Sequence, residues 1–532
     1  MLTVLRALAI GLIVLVVIRS AWVSDDALIT LRSALNITHG WGPGYNATES
    51  VQAYSHPLWF VIWVAVGSMT NQWVLGVIAM SALFVGIAVG LLLWRALSIA
   101  RILLATTLLL LSNAFIDFST SGLENPLAYA SIGVILVLLL ADRSRIDALR
   151  WWWPVMVGLT TAAVLLTRFD LLVLIVIPLL IAAWSQRRNP LRIALALGSF
   201  AFPLLVWFTW SWFTYSSLLP NTFAAKTNVG ISQGEFTVQG LRYLWVSFTH
   251  DPVTLIGLGL GTAVGLAFGP RMVRAWSFGI LAYLGYVIWI GGDFMAGRFL
   301  AVPFFVAVFI IAGTTLHQQH SAQAQESIAS QQNTIGSTVV ALATTVVLLG
   351  ALSVSGMQST TLTNPQGPRW EVDQNRNAGV SDELGIYAAN NRTLTSLVDT
   401  LSLAYTNPDI APLGDGTGLN RTLREIDKAT RNWPANDGGF TTPAEVGVFC
   451  GFLGTIGIAT GPITHLIDSC ALTDRFLAER PSAPTEPFAW KPGHFYREIP
   501  EGYPEAIATG DPRQVRDMAT AFELTRLWEK IR

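Results

Sequence analysis

Charge is scarce in this sequence. Asp, Glu, Lys and Arg make up 13% of its 532 residues, against roughly 25% in a soluble globular domain. A wholly soluble enzyme is therefore excluded. Neither sign dominates: 33 Lys and Arg face 34 Asp and Glu, a net charge of −1, which argues against nucleic acid as a partner. Nucleotide and metal motifs are lacking too. There is no Walker loop, and neither Gly40-Trp41-Gly42 nor residues 415–418 form a G-x-G-x-x-G between a strand and a helix. No HExxH and no Cys/His zinc spacing occur, so a cytosolic nucleotide donor is not expected. Cysteine is limited to Cys450 and Cys470. Both fall in a segment read below as lying outside the membrane, where disulfides persist. They read as a disulfide, with two buried thiols as the alternative.

What is abundant is apolar. Hydrophobic residues are 52% of the chain and mean hydropathy is +0.50, which excludes intrinsic disorder. About 20 apolar residues cross a bilayer. Runs at 4–22, 74–94, 101–115, 124–141, 151–167, 170–184, 191–215, 253–268, 275–291, 299–316 and 336–355 are read as eleven transmembrane helices. The first lacks a small-residue cleavage site and is expected to stay in the mature chain. Residues 57–69, apolar but short, read as an interfacial helix carrying Trp59 and Trp63.

Orientation follows from Lys and Arg in the short loops. Arg6, Arg95, Arg101, Arg143, Arg145, Arg150, Arg187, Arg188, Arg192, Arg271 and Arg274 fall in one set, read as cytoplasmic. Asp25, Asp26, Glu49, Asp117, Glu124, Asp170, Glu235, Asp251 and Asp293 fall in the other. The N-terminus is thus placed in the cytoplasm and the C-terminal region outside. Residues 1–356 hold 17 Lys and Arg against 12 Asp and Glu, and the rest hold 16 against 22. Two units follow: a transmembrane unit, 1–356, with an outer loop at 24–73, and a soluble C-terminal unit, 357–532. A Gln/Ser/Ala-rich linker at 317–333 and the last span tether the second unit. Within it, 446–458 reads as strand and 513–531 as a closing helix, a mixed α/β domain.

Charges at a membrane edge are costly and usually functional, and here they gather on the outer side. Asp25 and Asp26 follow the first span directly. Adjacent acids repel, so one pKa should rise. The pair suits general-base work or cation binding, against the plain alternative of solvated acids that stop a helix. Asp25 is the expected base, Asp26 orients the acceptor or a cation, and Glu49 is the second candidate. Arg32, Asn46 and His56 share the loop. Glu124 opens a span, where a carboxylate also suits the helix dipole. Arg168 and Asp170 lie between two spans and either pair with each other or face a substrate. Asn221 and Lys226 begin a long outer loop, and Lys226 either binds phosphate or snorkels. Asp293 and Arg298 follow two glycines, and a guanidinium holds phosphate in a bidentate manner. Lys226, Arg298 and Arg168 are thus the expected phosphate ligands. In the C-terminal unit Trp370, Trp490, His494, Phe495 and Tyr503 are sugar-holding or core residues. His465 with Asp468 and Asp474 reads as a weakly specified cation site. No resident cofactor is read, with a divalent cation left as an alternative. Broken helices in paired halves and midplane charges, expected of a transporter, are not evident.

These stretches resemble the GT-C membrane glycosyltransferases that use polyprenyl-phosphate sugars, and among them the terminal arabinofuranosyltransferases of actinobacterial cell walls. The likeness rests on Asp25–Ile29 with Arg32, on Gly40 to Pro43, Asn46, Glu49 and His56 to Trp59, and on Gly122-Leu123-Glu124. It continues through Pro220-Asn221-Thr222 with Lys226, Gly292-Asp293 with Arg298, Thr464-His465, Ala471 to Asp474, Gly493-His494-Phe495 and Ile499 to Tyr503. It implies a GT-C fold in the plasma membrane and decaprenyl-phosphoryl arabinofuranose as donor. It implies arabinan of arabinogalactan, or lipoarabinomannan, as acceptor, with His465 and His494 among the substrate-binding residues. The new bond would be a terminal β-(1→2) linkage. Another lipid-linked sugar such as mannose, or a lipid-linked-sugar flippase, is the alternative.

Overall fold

The computed structural model describes residues 1–314 apart from 97 and 142, 378–384, 430–482 apart from 439 and 441, 488, 490–511, 513–518 and 520. The last expected span, the 317–333 linker, Trp370, the turn at 415–418 and most of the closing helix lie outside them. The chain is a polytopic helical membrane protein. Its helices run α1 (Leu2–Arg19), α2 (Asp25–Thr38), α3 (Pro57–Thr70), α4 (Trp73–Arg95), α5 (Ile99–Leu111), α6 (Asn113–Asp117), α7 (Asn125–Leu139), α8 (Arg143–Leu149) and α9 (Trp152–Thr167). They continue with α10 (Leu172–Ser185), α11 (Pro190–Tyr215), α12 (Asn221–Thr227), α13 (Gln233–His250), α14 (Pro252–Phe268), α15 (Arg271–Trp289) and α16 (Arg298–Gly313).

Each of the ten expected spans up to residue 316 coincides with a helix. Among the described residues, only α1, α4, α11 and α15 are long and apolar enough to cross a membrane alone, with α13 and α14 as a fifth, broken pair. Helices α3, α5, α7, α9, α10 and α16 are apolar but shorter. Several are cut short where polar residues collect at one end of the bundle: α7 begins after Glu124, α9 stops at Arg168 and α16 starts at Arg298.

That end is distinct from the other. Arg6 donates to the Ala96 carbonyl (2.8 Å) and Arg101 to that of Thr314 (2.6 Å). The start of α1 and the ends of α4 and α16 therefore share the arginine-bearing end. Cations there complement the exposed carbonyls of helix C-termini. Helix α3 forms as expected, but its two tryptophans turn inward rather than to a lipid interface. Trp59 and Trp63 are fully buried, and Trp59 donates to the Gly122 carbonyl (2.8 Å).

The central pillar is α16, with every residue from Leu300 to Ala312 buried. It packs on α14 through small residues, as membrane helices do when close backbone approach drives association. Gly257, Gly261 and Gly265 fall four apart on α14. A Cβ on Gly257 would meet the Phe304 ring at 2.5 Å, one on Gly261 the Ala307 carbonyl oxygen at 2.5 Å, and one on Gly265 the Ile310 side chain at 3.2 Å, as well as the Ser277 hydroxyl of α15 at 2.1 Å. Between α13 and α14 the axis turns by 107°. Asp251 fixes the corner by accepting from Ala114 N (2.8 Å) and from the Thr254 hydroxyl.

The C-terminal residues form a small β-α-β unit. Strands β1 (Glu445–Phe449) and β2 (Thr464–Asp468) pair in parallel, and α17 (Leu453–Thr460) crosses between them. The expected strand over 446–458 is thus half strand and half helix, broken by a left-handed Phe452 at the helix start. Short helices α18 (Arg475–Glu479) and α19 (Tyr503–Thr509) follow. Cys450 and Cys470 are disulfide-bonded, joining the residues just past the two strands.

The α14 seam yields a paired prediction. Gly261→Val places side-chain atoms against α16 backbone and should lower thermal stability in detergent by about 1–3 kcal/mol. Gly259→Ala, with nothing within 4 Å of the new Cβ, should leave the unfolding midpoint near the parent value. Equal midpoints for both variants would refute the close seam.

Candidate active site

The loop after α1 is folded rather than open. Ser24 caps α2 by accepting from Ala27 N, and Asp25 and Asp26 occupy its first turn, where carboxylates suit the positive end of the helix dipole. Eleven of its fourteen residues are buried, because the β-α-β unit lies on it. The contact is made by charge at both ends of α17. Asp25 accepts from Gly454 N (3.0 Å), Thr455 N (2.8 Å) and the Thr455 hydroxyl (2.8 Å) at its N-terminus. Two turns along α2, Arg32 donates to the carbonyls of Gly461 (3.0 Å) and Thr464 (2.7 Å) beyond its C-terminus. Glycines permit the approach: a Cβ on Gly454 would lie 2.0 Å from the Asp25 carbonyl oxygen. Asp25, expected as the base, thus holds a helix end with both oxygens. Burial raises its pKa, the three donors opposing. Arg32, fully buried and stacked 4.5 Å over the Tyr45 ring, likewise faces protein rather than a substrate.

Asn46 and Asn221 do similar work. Asn46 exchanges hydrogen bonds with Leu466 on β2 (3.1 and 3.0 Å), and Asn221 donates to the carbonyls of Ala471, Leu472 and Asp474. Asp468 accepts from Cys470 N, Leu472 N and Thr473 N, and Asp474 caps α18 while accepting from the Tyr503 hydroxyl. His465 bonds the Thr48 hydroxyl (2.6 Å), and burial drives its pKa down to about 3. The expected His465, Asp468 and Asp474 cation site is therefore not assembled, and among the described residues no group of three metal-ligating side chains occurs. Glu49 lies beside this unit, 3.9 Å from His465, with its pKa raised chiefly by burial. Trp490 packs against Phe236 and Phe495, and Tyr503 against Phe476. Phe495 and Tyr503 are buried in the core, and Trp490 is half-buried.

The remaining expected residues do converge, around Arg298 at the start of α16. Its guanidinium lies 3.2 Å from Asp26, 3.6 Å from Glu124 and 3.7 Å from Asp293. Glu124 is shared further, with His56 at 3.2 Å and Arg168 at 3.8 Å. His56 also bonds the Thr30 hydroxyl (2.9 Å). Arg168 is committed mainly to Asp170 (2.6 Å), and Tyr283 donates to that same carboxylate. The Arg168–Asp170 pair is real, and it supports the site from behind rather than from within.

Lys226 closes the other side. It is exposed at the end of α12, and a Cβ on Gly493 would sit 3.4 Å from its Nζ. The 491–494 turn there places Lys491 4.3 Å above the Phe294 ring, with His494 edge-on at 4.5 Å to the same ring. Burial and Lys491 push the His494 pKa down, and burial raises that of Asp293. Neutral His494, with buried Nδ1 unpartnered among the described residues, is available for one hydrogen bond.

Lys491 and a second residue, Glu383, were not singled out in the sequence. Residues 378–384 enter as a strap: Ser381 N donates to the Phe294 carbonyl (2.7 Å) and Ala296 N to that of Ser381 (3.0 Å). Glu383 is buried on that strap. No local pattern could have found either residue, since both reach the site through contacts about 90 or more positions away.

The site combines three carboxylates in contact with one arginine, two lysines and a neutral histidine. Asp293 Oδ2 and Arg298 Nε are buried and have no hydrogen-bond partner among the described residues. Such an arrangement suits an anionic group carrying both acceptors and donors.

The chain is similar to two curated proteins named terminal beta-(1->2)-arabinofuranosyltransferase. One, from Mycobacterium tuberculosis, is 29% identical over 329 residues, covering 53% of this chain and 51% of the relative. The other, from Corynebacterium glutamicum, is 25% identical over 368 residues, covering 55% and 48%. The chain spans about half the length of the curated relatives it matches. No family model and no solved structure matches it.

Asp25→Ala discriminates the clasp from a catalytic role. Loss of a helix cap costs about 0.5–2 kcal/mol, so limited proteolysis of the full-length protein should cleave the 430–510 region faster. Unchanged proteolysis together with a large loss of turnover would instead return Asp25 to catalysis.

Proposed function

We propose that the chain is a glycosyltransferase moving an arabinofuranosyl residue from decaprenyl-phosphoryl arabinofuranose to the non-reducing end of cell-wall arabinan, with a terminal β-(1→2) linkage. The observation that carries the reading is Arg298. It stands at the N-terminus of α16, buried from Leu300 to Ala312, among Asp26, Glu124 and Asp293, with Lys226 in electrostatic reach of Asp293 and Lys491 of Glu383. The similarity to the two arabinofuranosyltransferases supplies the sugar. On this reading eleven spans place the N-terminus in the cytoplasm, the site on the outer side of the plasma membrane, and residues 357–532 outside. Arabinan of arabinogalactan or lipoarabinomannan is the acceptor.

The reaction breaks the bond from C1 to the phosphate oxygen and forms one from C1 to an acceptor oxygen. The lipid phosphate departs with the electron pair and growing negative charge. Fixed cations in a low-dielectric site lower that barrier without reorganising. Arg298 and Lys226 meet the phosphate. Arg168, 3.8 Å from Glu124, helps to position it. Asp26, a quarter exposed and 3.2 Å from Arg298, sits where it orients the reacting groups. A β-linked donor and a β-linked product require net retention, which one in-line attack does not provide, so the sugar is displaced twice or departs before the acceptor closes in.

The transporter alternative draws less support, because the ionisable cluster lies at one end of the bundle. A mannosyl donor would use the same phosphate site. Purified protein given synthetic donor lipids of both sugars, with a short arabinan acceptor, tests the reading: arabinofuranosyl transfer is expected and exclusive mannosyl transfer would overturn it. In the same assay Arg298→Ala should weaken donor binding at least tenfold while acceptor binding changes little. Equal donor affinity in the variant and the parent would remove Arg298 from the phosphate site.

A further inference from the structure

Five carboxylates lie at or beside the reacting region, and four are already committed. Glu124 is shared among His56, Arg168 and Arg298. Asp25 has both oxygens on the N-terminus of α17. Asp26 is ion-paired with Arg298. Asp293 accepts from Phe294 N through one oxygen and faces Arg298 with the other. Glu383 is different. It is 7% exposed and accepts no hydrogen bond from the described residues, yet its oxygens are not among the sealed, unpartnered atoms. They are covered but reachable.

Its position is set by both halves of the site. The strap 378–384 pairs with Phe294 and Ala296, next to Asp293. On its other side Gly379 lies against Pro492, where a Cβ would come within 3.1 Å of the proline ring. Glu383 is therefore held between the loop carrying Asp293 and Arg298 and the turn carrying Lys491 and His494. The charges whose fields reach it are Lys491, Asp26, Asp25 and Asp293. Arg298 and His494 stand on the same elements, and Lys226 reaches the turn from α12.

We propose that Glu383 is the general base of the transfer, receiving the proton of the acceptor hydroxyl as that oxygen bonds to C1. This rests on the glycosyl-transfer reading above. The lipid phosphate has by then departed on the Arg298 side with the electron pair of its bond to C1, the acceptor oxygen uses its own electron pair for the new bond on the same face, and its proton passes to a Glu383 oxygen. Burial pushes the Glu383 carboxyl up to about 8, with Lys491 pulling it back and the three aspartates adding to the rise. A base with a pKa near the working pH is the effective choice, since it balances proton affinity against the ionised fraction. The ionised form accepts the proton, so turnover should rise with pH through this range and level off above it. The strap also explains why the site needs the C-terminal half of the chain: the carboxylates around Arg298 itself, Asp26, Glu124 and Asp293, are each held by that arginine.

The test uses full-length protein in detergent with a synthetic arabinofuranosyl lipid and a short arabinan acceptor. Glu383→Gln should lower turnover by roughly 10²–10⁴-fold, remove the alkaline rise of the pH profile, and leave donor affinity within about twofold. Lys491→Met, which deletes the cation that holds the carboxyl down, should move the rise to higher pH. Glu383→Gln with parental turnover and the same pH rise overturns the proposal. So does a Lys491→Met profile that stays in place or moves to lower pH. If the parent protein itself transfers no arabinofuranose, the functional reading falls first, a result separable from the variant's failure alone.

Discussion

The structure hangs on two side chains seven residues apart on one buried helix. Asp25 and Arg32 lie on the same face of α2, two turns apart, and take opposite ends of α17. A helix presents free N–H groups at one end and free carbonyls at the other, so an acid and a base at that separation match a parallel eight-residue partner. The match fixes direction as well as position, because reversing α17 would set like against like. Through it the β-α-β unit is seated over the bundle, and with it the 491–494 turn. Tyr45, Asn46 and Asn221 add bonds to the same seat.

Beneath the seat is a charge network buried almost completely. Removing several ions from water costs several kcal/mol each unless partners compensate. Glu124 is compensated by three bases and Arg298 by three acids, with no pair closer than 3.2 Å at either. The distances beyond hydrogen-bonding range leave capacity on both sides. Arg168 is different, bound at 2.6 Å and braced by Tyr283, and so it is spent on structure. The contrast between a loosely and a tightly held guanidinium separates a residue that can turn to a ligand from one that cannot.

Much of this was legible in the sequence. Hydropathy located the helices because burial in lipid leaves a long, simple pattern, and Glu124, His56, Asp293 and Arg298 stood out as charges where charge is expensive. What misled was the chemistry of Asp25. A carboxylate after a span looks the same whether it awaits a substrate or the end of another helix 429 positions away. Asn46, Asn221 and Asp468 were misread for the same reason, since backbone groups as partners leave no mark in a side-chain pattern. Glu383 was missed because nothing around it repeats or alternates, and its meaning comes entirely from what the strap lies against. The corner at Asp251 was likewise invisible: a 107° turn between two apolar helices depends on one carboxylate accepting from Ala114 on a different helix.

The bond between Cys450 and Cys470 ties together the two strand ends beside α17. Thiols oxidise in extracellular compartments and stay reduced in the cytosol. On the proposed topology, a β-α-β unit locked in this way would reach its final form only after its residues had been delivered past the reducing interior. The turn bearing Lys491 and His494 follows that unit in the chain, so on the same proposal the site would have an order of manufacture: helices first, roof later. A newly made copy would then carry its arginine and acids without the roof until export was finished.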